Sequence, residues 1–142
     1  MVNNIQVNHS SIHENILTNN LLLICRNIMS FIFIGIPAQL NLLFNGFVFG
    51  SYLRGAILVD NLSKIKIIML VLPHSIFEFF GVLISTVIPV ELCLEIGKRI
   101  FYKVSDDEYW ESFIVIIKLL GLSVLLILIA AWIETHVTLK LI

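Results

Sequence analysis

Charge is scarce in this chain: only 13% of its 142 residues are Asp, Glu, Lys or Arg, ten acidic against nine basic. A net charge of -1 leaves no basic footprint for a polyanion, which argues against nucleic acid as a partner. Cysteine is equally sparse. Cys25 and Cys93 have neither the spacing of a zinc site nor the density of a disulfide framework, and both read as buried or lipid-facing thiols. His-Glu-x-x-His, Gly-x-Ser-x-Gly, Walker A and glycine-rich dinucleotide motifs are all missing, so neither a metal nor a cofactor is expected. The first 20 residues contain no Lys or Arg and no small-residue cleavage site, so they are expected to stay on the mature protein.

What the chain has in abundance is apolar side chains, 58% of residues, with a mean hydropathy of +0.99. Water cannot keep such a chain dispersed, and the solvent must be lipid. From Ile16 to Leu53 the sole charge is Arg26. As one helix that run would reach about 57 Å, against about 30 Å of hydrocarbon, and Gly35-Ile36-Pro37 offers a place to break it. After a polar link (Arg54, Asp60, Asn61, Ser63, Lys64, Lys66), a second run extends from Ile67 to Val90 and is divided by Pro73. Leu92, Ile96, Ile100 and Val104 then recur at helical spacing among charges, the pattern of an interfacial helix. Asp106, Asp107 and Glu108 form an acidic turn, Tyr109 and Trp110 suit the headgroup layer, and Ser112 to Ile133 is long enough to cross.

The expected fold is therefore an all-α, polytopic transmembrane bundle, broken or kinked at Pro37 and Pro73, with one interfacial amphipathic helix. A polar tail at 1–16 precedes a single membrane domain at 17–142. Its membrane elements are expected at 17–36, 37–53, 66–90 and 112–133, and the interfacial helix at 91–104. Sidedness stays open, because the two internal links each carry three basic residues, Arg54, Lys64 and Lys66 against Lys98, Arg99 and Lys103.

His74 and Glu78 stand four residues apart and share a helical face inside the second run. A carboxylate there is costly, and such groups usually face a bundle interior or a water-filled cavity with a polar partner. Asn41, Asn45 and Glu134 are the candidate partners. Two readings stand: a proton relay, substrate pathway or metal ligand, and a His-Glu pair that fixes helix packing. Gly46 and Gly50 have the G-x-x-x-G spacing of a helix-packing face, and Gly81 continues the stripe of His74 and Glu78. Arg26 is read as snorkelling to one surface.

In order, the chain carries Asn19-Asn20 leading into an apolar helix, Asn45-Gly46 followed by Gly50, Leu72-Pro73-His74-Ser75-Ile76-Phe77-Glu78, and Ala130-Ala131-Trp132-Ile133-Glu134. This set resembles the stage II sporulation protein M family of bacterial membrane proteins. Ser75 and Phe79-Phe80-Gly81 depart from its Leu-Pro-His-Gly-Ile-x-Glu-Leu-Pro-Ala pattern. In sporulation the family is similar to a scaffold for peptidoglycan-degrading enzymes during engulfment. Small members are encoded with circular bacteriocins, beside a precursor, an ATP-binding protein and an immunity protein. The chain's shortness favours the second context. The resemblance thus implies a non-enzymatic subunit of a bacterial cell-membrane assembly for bacteriocin maturation, export or immunity. Its expected partners are the lipid bilayer, other membrane proteins including an ATP-binding subunit, a hydrophobic peptide and further copies of itself. The alternatives are the sporulation scaffold and an intramembrane peptide-processing enzyme.

Overall fold

A backbone in hydrocarbon must satisfy its own polar groups, and a helix does so within one segment. A computed structural model describes residues 9–58, 64–102 and 105–136 of the chain, and among these the regular elements are all helical. They are α1 (His9–Met29), a 3-10 turn (Ser30–Phe33), α2 (Ile36–Leu58), α3 (Lys64–Tyr102) and α4 (Asp106–His136). Among the described residues, three helices are long and apolar enough to cross a membrane: Glu14–Phe33, Met69–Tyr102 and Asp106–His136. Asn, Gln and Gly dilute the apolar content of α2, which nevertheless is about 35 Å long and runs beside the others.

Pairings across the helices set the topology. Asn20 and Asn27 of α1 meet Glu78 and Ser85 of α3, so these two helices run parallel. Gly35 lies against Val90 and Gln39 donates to the Thr86 carbonyl, so α2 returns antiparallel to α3. Ser123 of α4 donates to the Gly81 carbonyl and Arg99 pairs with Asp106, so α4 is antiparallel too. The result is an up-down-up-down bundle whose apolar core is Ile24, Val82 and Ile127, one residue from each of α1, α3 and α4.

The break between α1 and α2 comes just before Pro37. Ile34 and Gly35 both adopt left-handed conformations (φ 55° and 75°), and their N–H groups donate to the carbonyls of Phe31 and Ser30. Only glycine suits position 35, where a Cβ would also lie 2.7 Å from the Val90 side chain. Pro37 sits in the first turn of α2, where a proline costs no helical hydrogen bond.

Two expectations about α3 are refined. Of the break or kink expected at Pro73, the break does not occur: the helix continues through Pro73 and also Pro89, because a proline removes one hydrogen bond whereas ending a helix in lipid would orphan several. Near Pro89 the neighbouring helix adds a donor, the Gln39 amide 3.1 Å from the Thr86 carbonyl, next to the Ser85 carbonyl that Pro89 leaves without its helical donor. The stretch expected as a separate surface helix at 91–104 is instead the end of α3 as far as Tyr102; Lys103 and Val104 lie outside the described residues. The first part of its apolar stripe meets α4: Leu92 and Ile96 border a small space with Tyr109, Phe113 and Ile116, while Ile100 is exposed. Arg99 pairs with Asp106 at 2.7 Å and stacks over Tyr109, closing the hairpin. Glu91–Tyr102 thereby carries the hairpin about 18 Å past the turn at Gly35. The stretch expected as a polar tail is also helical from His9 onward. Asp60, Asn61 and Ser63 of the first link, like residues 1–8, lie outside the described residues.

Of the expected packing glycines, Gly81 is in close contact: a Cβ at that position would lie 3.0 Å from Ile127 Cγ1 and 3.1 Å from the Ser123 carbonyl. Gly46 and Gly50 have nothing within 4 Å. Gly81→Leu is therefore expected to destabilise the bundle by about 1–3 kcal/mol through overpacking, whereas Gly46→Leu is not. Thermal unfolding of the purified chain in detergent checks this, and equal effects at the two positions would contradict the packing described.

Candidate functional site

His74 and Glu78 occupy successive turns of α3, so the helix holds both on one side. The Asn20 side chain of α1 is hydrogen-bonded to Glu78, and Glu134 of α4 and His74 act on it electrostatically. All four side chains are partly buried. Three helices thus converge on one carboxylate near the middle of the Ile67–Val90 run, about 17 Å from either end.

The fourth helix meets the same carboxylate across a gap. A cleft of about 300 Å³ separates α2 from α3, with Asn45 and Gly46 on one side and Ser75 and Glu78 on the other. Asn41, half-buried one turn before Asn45, is not among the residues lining it. The structure therefore brings together His74, Glu78 and Glu134 and sets Asn45 and Gly46 at the cleft. Among the described residues, Asn41 does not line the cleft, and no neighbour packs closely on Gly46 or Gly50. Among the described residues, no group of three or more His, Cys, Asp or Glu side chains is placed to hold a metal ion.

Asn20, which holds Glu78, is not singled out by the sequence as a partner, although it stands in the Asn19-Asn20 pair. A second polar contact has no signal in the sequence. Asn27 Nδ2 donates to Ser85 Oγ at 2.8 Å, both residues fully buried, two turns along the same α1–α3 contact. The Ser85 hydroxyl in turn donates a hydrogen bond to the Val82 carbonyl, so the pair is built into α3 without breaking the helix. Ser30 likewise donates back to the Asn27 carbonyl.

The four segments that carried the family resemblance lie far apart in the chain and converge here. Asn20, Asn45, His74 with Glu78, and Glu134 all border one polar site or its cleft. Ala130 and Ala131 are buried one turn before Glu134, and let α4 approach closely. Comparison with known proteins agrees. An uncharacterized protein of Methanocaldococcus jannaschii is 37% identical over 138 residues, which cover 97% of this chain and 75% of that one. No solved structure matches. The family model described as Stage II sporulation protein M matches residues 1–139, and the chain belongs to that family.

Proposed function

We propose that the chain is a non-enzymatic, multi-pass subunit of a bacterial cell-membrane assembly that handles a hydrophobic peptide. The context is circular bacteriocin maturation, export or immunity, with ATP hydrolysis supplied by a separate protein. The observation that carries this reading is the shape of the site. Glu78 is held from within the bundle by Asn20, and it also lines a cleft between α2 and α3 near the middle of the hydrophobic run. Such a site suits holding a membrane-embedded segment. The α3–α4 hairpin supplies a second surface, charged and aromatic, for a partner outside the hydrocarbon: Arg99, Asp106 and Tyr109 brace it, and Phe101, Tyr102 and Trp110 are exposed along it.

The experiment uses cells that export, or resist, a hydrophobic circular peptide only when this chain is present. Glu78→Gln keeps the shape and most hydrogen bonds of the carboxyl, and is expected to lower peptide output or resistance at least tenfold with normal accumulation of the chain. Unchanged activity with Gln, together with poor accumulation of Glu78→Ala, would leave Glu78 with a packing role alone.

The hairpin is tested separately by copurification from the same cells. An ATP-binding protein is expected to accompany the chain and to be lost when Asp106, Asp107 and Glu108 are all changed to Lys. Its absence from the intact chain would remove the ATPase from the reading.

A further inference from the structure

We propose that the cleft between α2 and α3 receives a transmembrane helix carrying one basic side chain at mid-depth, whose charge seats against Glu78. This deepens the peptide-handling reading and rests on it.

Charge balance is the first support. Two acidic groups, Glu78 and Glu134, act on one another inside the bundle, and among the described residues the basic group acting on Glu78 is His74. Two acidic groups thus face one basic group, and the cluster is short of a basic partner. The described residues do not supply it. Their ion pairs are Lys98 with Glu95 and Arg99 with Asp106, both on the hairpin. Arg26, Arg54 and Lys118 are exposed on the bundle's outside. An intramembrane carboxylate is expected to have a partner, and the cleft is the side from which one can arrive.

The walls supply the second support. Asn45 and Ser75 border the cleft with Glu78 and add acceptor oxygens beside the carboxylate. The remaining walls are apolar and aromatic, including Leu42, Phe49, Phe79 and Val82. Below this cleft a larger space of about 780 Å³ between the same two helices shares Val48, Phe49 and Tyr52 with it. Together they extend along α2 from Leu42 to Ala56, about 21 Å. That length takes four turns of an apolar helix, far more than a small cation requires. Gly46, with nothing within 4 Å of its Cβ position, keeps the upper part of the cleft open.

The test reconstitutes the full chain in phosphatidylcholine vesicles with a dye-labelled synthetic helix of Leu and Ala carrying one central Lys. A matched helix with Leu at that position is the control, and energy transfer between labelled chain and helix is the readout. The Lys helix is expected to associate at least tenfold more tightly than the Leu helix. Glu78→Gln should erase the difference. Gly46→Trp leaves the carboxylate in place but fills the cleft, and should displace both helices. Because the two variants act at different positions, a folding defect in one leaves the other informative. Equal association of the two helices would mean a protonated, uncharged site and would overturn the proposal. So would a preference that survives Glu78→Gln, or self-association of the chain that excludes both helices. A Lys preference in vesicles with unaltered peptide export by Glu78→Gln cells would retain the cleft's ligand and remove the peptide-handling role. The converse pair of results would remove the ligand.

Discussion

The contact between Asn27 and Ser85 sets the register on which the rest of the bundle depends. Both side chains are fully buried, where an amide or hydroxyl without a partner costs about 1–3 kcal/mol. Sliding α1 along α3 by one turn would orphan the Asn27 amide N–H, while Ser85 would keep its bond to the Val82 carbonyl. The same register brings Asn20 to Glu78, because the two pairs have the same separation in the chain. The packing contact and the candidate site are consequences of one alignment. Apolar side chains alone would not select it, since lipid solvates Leu and Ile as well as a neighbouring helix does.

Close approach of α4 completes the arrangement. Gly81 removes side-chain bulk where α3 and α4 meet, Ser123 reaches the Gly81 carbonyl at 2.7 Å, and the small Ala130 and Ala131 of α4 are buried in the bundle. Glu134 is thereby drawn to the level of His74 and Glu78. On the other side of α3, α2 is held closely at its start, through Gly35 and Gln39, and stands apart further along. Tight packing on one flank and a cleft on the other leave Glu78 held from inside and bordering the cleft.

Much of this was legible in the residues. Long apolar runs with few charges required membrane helices, and the i,i+4 spacing of His74 and Glu78 placed two ionisable groups on one face. Other features were hidden because they depend on a neighbour. Pro73 reads as a breaker only if the cost of one lost hydrogen bond outweighs that of ending a helix in lipid, and in α3 it does not. The charged, amphipathic stretch after Val90 looks like a surface helix until α4 offers Arg99 a carboxylate and a ring. Asn20 and Asn27 stand among many Asn residues, and nothing in their local spacing marks the two that α3 engages. The openness around Gly46 and Gly50 was hidden for the same reason, since the spacing of glycines says that a helix can approach and not that one of the same chain does.

The α1–α3 register is tested most directly by cysteine cross-linking in native membranes, in a chain with Cys25→Ala and Cys93→Ala. Paired cysteines replacing Asn27 and Ser85, and separately Asn20 and Glu78, should join within one chain under mild oxidation, while the out-of-register pair replacing Asn20 and Ser85 should not. Efficient closure of the out-of-register pair, with failure of the other two, would contradict the account.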